Sequence, residues 1–229
     1  MKKILCISAV VLALAVAPLR AATAKTGIEV LRYQLNWPGG VPLGEAQLKT
    51  IPVDGQWKLE LTLDASMPAF QVIDRFNSSV NEKFCSLEFS RDTLHGAKKS
   101  KETTTFDLAA TNASRKTEGG GTKDFSTAAC PHDALGFLFF ARQELIKGRV
   151  PAAQTIYYGG PYDLQFEMLG SQALSIGGAQ TQADRFRVSF KGPVANSTFE
   201  VFFSKNAART PLLIKVPFSL GTFSMELMP

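Results

Sequence analysis

Trp57-Lys58-Leu59-Glu60-Leu61-Thr62-Leu63 decides the fold class. Apolar and polar residues alternate strictly, and only an extended strand sends successive side chains to opposite faces, so this segment reads as a half-buried β-strand. Upstream, Asp54-Gly55 is a turn pair favoured by tight hairpins. Before it, Leu43-Gly44-Glu45-Ala46-Gln47-Leu48 reads as a second extended segment, and Pro38-Gly39-Gly40 breaks the chain ahead of that. Leu31, Tyr33, Leu35 and Trp37 then share one face of a first strand. The three together predict an antiparallel meander.

Downstream, Phe70, Val72 and Ile73 lead into residues 75–80, and Phe84, Leu87 and Phe89 mark another extended stretch. Residues 98–124 carry Lys98, Lys99, Lys101, Arg115, Lys116 and Lys123 mixed with Glu102, Asp107, Glu118 and Asp124. They read as a solvent-exposed ribbon, 101–108 and 112–117, ending in the flexible Gly119-Gly120-Gly121. A polyanion-binding arm is the competing reading. Acids interleave the bases and no aromatic ladder accompanies them, which favours edge strands protected by charge.

One segment departs from period two. Leu135, Leu138, Phe139, Leu145 and Ile146 recur at helical spacing, with Asp133 at the start and Gly148 just past the end. Asp133 complements the positive end of this helix, and Arg142 and Lys147 the negative one. Strands then return at 155–158, 162–169, 172–176, 181–190, 198–203, 212–218 and 221–227, punctuated by Gly159-Gly160-Pro161, Gly177-Gly178 and Gly192-Pro193. Tyr162, Leu164, Phe166 and Met168 share a face, as do Phe186, Val188 and Phe190, and then Phe199, Val201 and Phe203. The expectation is a mainly β protein: one curved antiparallel sheet forming a β-roll or barrel-like domain, with a single α-helix at about 133–147 packed on it.

The chain has 229 residues, 45% of them hydrophobic, with 17 Phe, which is enough for a real core and excludes global disorder. Its net charge of +5 belongs largely to the first 24 residues. Lys2 and Lys3 precede an apolar run from Ile4 to Val16, followed by Arg20 and the small-residue site Ala22-Thr23-Ala24, the pattern of a secretory signal peptide cut after Ala24. Removing that leader leaves 22 basic against 20 acidic residues, a net of +2, and no electrostatic motive for nucleic-acid binding. The domain organisation is then a leader, 1–24, and one β-rich domain, 25–229, with no later run long enough to span a bilayer.

Cleavage also turns three cysteines into two, Cys85 and Cys130. In an exported protein an even pair reads as a disulfide, with two buried free thiols as the alternative. Catalytic motifs are absent. His132 adjoins Asp133 in sequence, where the two side chains are poorly placed to orient one another, and there is no G-x-S-x-G elbow. His132 reads instead as a capping or surface residue. Cys85, His95, Cys130 and His132 contain no C-x-x-C pair, so neither a metal nor a cofactor is expected. Glu118-Gly119-Gly120-Gly121-Thr122-Lys123 lacks the spacing of a phosphate loop.

Three stretches carry a family resemblance. They are Leu31 to Trp37 with Gly40-Val41-Pro42-Leu43-Gly44-Glu45-Ala46, the segment from Asp133 to Arg142, and Arg209-Thr210-Pro211-Leu212 before Phe218-Ser219-Leu220-Gly221-Thr222-Phe223. In these the chain resembles a family of exported bacterial proteins known as domain of unknown function 3108 (DUF3108). The resemblance implies a periplasmic or outer-membrane-associated β-rich domain and supplies no catalytic residues. Where that family often has Ser and Tyr in the central helix, this chain has Gly136 and Phe139 or Phe140.

Function stays open among three readings. The first is a non-enzymatic envelope protein binding a lipid-like, apolar or amphipathic component, given strands rich in Phe that enclose either a filled core or a lined cavity. The second is a structural or assembly factor offering a sheet edge to an envelope protein partner. The third is an enzyme acting on envelope glycans through carboxylates that only the fold would gather.

Overall fold

The computed structural model describes residues 27–67, 70–193, 196–218 and 221–229. The leader, its Ala24 cleavage site and Ser219-Leu220 lie outside the described residues. The first meander comprises β1 (Glu29–Asn36), β2 (Pro42–Val53), β3 (Gln56–Met67), β4 (Phe70–Asn81), β5 (Ser86–His95), β6 (Lys98–Asp107), β7 (Asn112–Thr117) and β8 (Thr122–Ser126). A two-residue strand β9 (His132–Asp133) leads directly into α1 (Ala134–Ile146). The second meander comprises β10 (Gln154–Tyr157), β11 (Pro161–Ile176), β12 (Ala179–Lys191), β13 (Asn196–Ser204), β14 (Pro211–Phe218) and β15 (Gly221–Leu227).

Among the described residues fifteen strands make one sheet, running β8 back to β1, across to β15, then back to β9. The first and last long strands join the two halves through the antiparallel pair β1–β15, with Tyr33 opposite Leu227 and Asn36 opposite Ser224. Every pair is antiparallel except β9–β10. The alternation that opened the reading carries through to burial: Leu59 faces inward with Leu48 and Val80 on its neighbours, while Lys58 and Glu60 point away from this core.

The sheet curls round the helix, which explains why α1 is apolar on nearly every side. Leu135 and Phe139 join a core with Tyr33, Leu59, Val80 and Phe89 of the first half. Phe137, Ala141 and Leu145 join a core with Leu164, Phe166, Phe186 and Val201 of the second. The two ends of the sheet meet by side chains. Phe125 on β8 stacks on Tyr157 on β10 at 5.6 Å, Phe106 meets the same ring edge-on at 5.7 Å, and the Tyr157 hydroxyl accepts from the Ala128 N–H. An open sheet with its ends brought together in this way is barrel-like.

Several expectations are corrected. Residues 161–176 form the single strand β11, continuous through a bulge between Met168 and Gly170, rather than two strands. Met168 at that bulge is exposed, unlike Tyr162, Leu164 and Phe166 before it. The 98–124 segment is not a solvated ribbon: Glu102, Thr104 and Phe106 on β6 and Ala113 on β7 are buried, and a further strand, β8, follows the glycines. Arg142 is buried in mid-helix and does not serve the negative end of the helix; it holds Glu29 instead.

Candidate functional site

The second meander and the helix do not fill the space between them. A cavity of about 440 Å³ lies among Ala134, Phe137, Leu138 and Ala141 of α1, Ile156 of β10, Tyr162, Leu164 and Phe166 of β11, Val188 and Phe190 of β12, Phe199 and Val201 of β13, and Ile214 of β14. Tyr158 and Ser197 complete the wall. Strand alternation puts these side chains inward, since Tyr162, Leu164 and Phe166 lie two residues apart on β11, as do Phe199 and Val201 on β13. No carboxylate, imidazole, thiol or amine stands in this lining among the described residues. What the surface can do is take hydrocarbon out of water, and its volume falls within the ~300–1,000 Å³ usual for small-molecule sites. Sequence periodicity marked these faces as apolar but could not distinguish a filled interior from a hollow one.

At Tyr158 the cavity wall adjoins a charged seam. The Arg91 guanidinium lies 4.7 Å over the Tyr158 ring, and its Nε is 2.7 Å from Glu102 Oε1. Arg115 reaches across from β7 to donate from Nη1 to the Gly159 carbonyl oxygen. Gly159 has φ +67, and a Cβ there would come within 2.9 Å of Glu102 Oε1, so glycine is needed both for the turn and for the close approach of the charges. Glu102 falls in register with Phe106 on the inward face of β6. That period-two position was the available signal for it.

The start of the helix is a second buried polar centre. Asp133, wholly buried, accepts from Leu135 N–H and Gly136 N–H through Oδ1 and from the Ser78 and Ser86 hydroxyls through Oδ2. Burial pushes its carboxyl up from the ordinary range, against the pull of those four donors. Gly136 leaves room for this knot, since a Cβ there would lie 3.0 Å from both Asp133 Oδ2 and Ser86 Oγ. Beside it Cys85 and Cys130 form a disulfide with Cα atoms 4.8 Å apart. Asp133, expected at the positive end of the helix, caps it and extends into a link between α1, β4 and β5.

His132 is neither a surface residue nor a cap. It is buried on β9 with its ring stacked on Phe140 at 4.4 Å, and neither ring nitrogen has a hydrogen-bond partner of good geometry. Burial pushes the imidazole down from its ordinary range, with Gln154 pulling the other way. His95 sits apart on β5, exposed and 2.8 Å from Asp74. The structure does not bring the two histidines and the two cysteines into one site, and no group of three or more His, Cys, Asp or Glu is placed to hold a metal among the described residues. On the outer face of β4–β6, Arg75, Lys99 and Lys101 share a shallow depression with Asp92 and Glu118, a mixture with no concentrated positive field. No helix of the described residues is long and apolar enough to cross a membrane.

A curved, open β-sheet wrapped round one helix, with an apolar cavity on the helix flank, defines a barrel-like class of protein. Residues 32–228 match the family described as "Protein of unknown function (DUF3108)", and the chain belongs to that family. Among solved structures it is similar to a beta-barrel-like protein of domain of unknown function DUF1849 from Brucella abortus, at 7% identity and a TM-score of 0.63, over 90% of this chain and 97% of that one. That likeness shows a shared fold. A candidate lipoprotein from Parabacteroides distasonis aligns over 89% of this chain and 94% of its own, at 7% identity and a TM-score of 0.33. No curated protein matches the sequence.

Proposed function

We propose that this protein is a non-enzymatic, exported envelope protein that holds an apolar or amphipathic molecule in the cavity between α1 and strands β10–β14. The single observation that carries the reading is a space of about 440 Å³ walled almost entirely by aliphatic and aromatic side chains. An apolar void of this size forfeits packing that a filled core would have, which an acyl chain or similar group would restore. Export to an oxidising compartment is supported by the leader pattern and the Cys85–Cys130 disulfide. The glycan-acting reading has no carboxylate in this cavity to use among the described residues. The assembly-factor reading has the outer edge of β8, but Lys123 and Asp124 blunt that five-residue strand.

The test is native mass spectrometry of protein purified from its own periplasm, paired with titration of the neutral apolar dye N-phenyl-1-naphthylamine. Wild type is expected to carry a removable small-molecule mass and to bind the dye once stripped. Val188→Phe, which projects a ring into the cavity, should weaken dye binding about tenfold or more with the far-UV spectrum unchanged. Protein with no adduct and no saturable dye binding would overturn the reading.

A further inference from the structure

We infer that the cavity ligand is a long-chain carboxylate, one hydrocarbon chain bearing a single negative head, with the head received by Arg115 and Arg91 at the seam beside Tyr158. This rests on the cavity being a binding site, and adds the class of molecule it takes. Arg115 is the unusual group. Its Nη1 donates to the Gly159 carbonyl oxygen, its Nε is buried without a hydrogen-bond partner, and no carboxylate lies within ion-pair distance of it among the described residues. Arg115 is half-buried, with Nε enclosed; a guanidinium offers five N–H donors and cannot shed its charge, so an enclosed N–H left unmet is costly until an anion arrives.

Its neighbours fix the sign and size of the missing charge. Arg91 is held by Glu102, which is itself buried, so the two guanidiniums and one carboxylate around Gly159 leave a net of one positive charge. A monoanionic carboxylate neutralises that charge and matches the planar fork of a guanidinium. The seam borders the cavity at Tyr158, which lines the cavity, carries Arg91 on its ring and precedes Gly159 in the chain; the carboxylate head would pass this ring to reach the guanidiniums. The remainder of the lining is uncharged, and the volume sits near the low end of the ~300–1,000 Å³ range, which suits one chain.

Stripped wild-type protein is titrated with palmitate and with methyl palmitate, each by displacement of N-phenyl-1-naphthylamine. Palmitate is expected to bind at least about tenfold more tightly, the factor a charge-assisted hydrogen bond supplies. Arg115→Gln should abolish that ratio, with an unchanged near-UV spectrum reporting an intact fold; Arg115→Lys should keep part of the ratio. Equal affinities for acid and ester in wild type, or a full ratio surviving in Arg115→Gln, would overturn the headgroup assignment and leave the cavity reading standing. Failure of both probes to displace the dye, or of the dye to bind, would overturn the cavity reading and this inference with it.

Discussion

Asp133 and Ser86 hold each other twice: the Ser86 hydroxyl donates to Asp133 Oδ2 at 2.6 Å and accepts the Asp133 backbone N–H at 2.8 Å. The pair fastens the start of the helix to β5, and Ser78 fastens it to β4. Asp133→Ala would remove a cap worth ~0.5–2 kcal/mol. It would also strand buried hydroxyls at ~1–3 kcal/mol each. The expected loss is about 3–5 kcal/mol in urea unfolding at pH 7, against about 1 kcal/mol for Ser78→Ala. A loss below 1 kcal/mol for Asp133→Ala would show that the knot is dispensable.

The disulfide acts on the same junction from the other side. Cys85 precedes Ser86, Cys130 precedes Pro131, and the Ser86 N–H donates to the Pro131 carbonyl at 2.8 Å. The bridge closes a separation of 45 residues, for which chain entropy gives about 4 kcal/mol. The double variant Cys85→Ser/Cys130→Ser should therefore lose about 2–4 kcal/mol, and dithiothreitol should destabilise wild type while leaving the variant unmoved. An equal response of both proteins to reductant would exclude the bridge in solution.

His132 makes stability depend on mild acid. Its imidazole is pushed below the ordinary value by burial, so the native state resists the proton that the unfolded chain takes up. The stabilisation is whole above the unfolded value of about 6.5 and is lost as pH falls through the native one. Denaturation of wild type and His132→Phe from pH 8 to 5 should show wild type losing ground to the variant below about pH 6.5. A stability difference that stays constant over that window would show that the ring titrates normally.

How much was legible follows from what each residue's signal was. The strands that alternate cleanly, such as Trp57 to Leu63, could be read because burial and period coincide. Glu102 reads as surface in the sequence because an inward position filled by a polar residue looks exposed until its partner is known, here Arg91 from the adjoining strand. His132 reads as surface because a polar ring enclosed by stacking alone, here on Phe140, leaves no pattern in the sequence. The hollow beside Phe166 was beyond reach, because side-chain faces fix direction but not the distance between opposing walls. Arg142, near the end of a helical pattern, looked like a dipole partner, yet its function is set by Glu29 more than a hundred residues away in the chain.

That Arg142–Glu29 contact yields its own prediction. Nη1 and Nη2 meet the two Glu29 oxygens at 2.5 and 2.8 Å, and Nε donates to Ala208 O at 2.7 Å, with the guanidinium buried. Glu29→Gln leaves a charge buried and half satisfied. Because Glu29 is partly exposed, the cost should be about 2–3 kcal/mol, below the ~3–5 of a fully enclosed pair. Urea unfolding should show this loss equally at low and at high salt, since a buried pair is poorly screened. A cost that vanishes in 1 M salt would mark the pair as a surface contact.

Gly44 marks a close approach of two strands. It lies on β2 opposite Ala65 of β3, and a Cβ there would be driven onto the Asp64 carbonyl oxygen and to within 2.8 Å of Ala65 Cα. Both are backbone atoms that cannot rotate away, so Gly44→Ala must part the two strands. The register of β2 with β1 already shifts nearby, between Leu35 and Asn36, so the strain would fall where the ladder is least regular. The expected cost is about 3 kcal/mol or more, at the upper end of overpacking. Hydrogen exchange should locate it, with amides of β2 and β3 around Gly44 exchanging faster while those of β11 and β12 keep their protection. Gly121→Ala, where nothing lies within 4 Å of the added carbon, is the control and should leave stability unchanged. Equal effects at the two positions would mean that the close approach at Gly44 does not exist in solution.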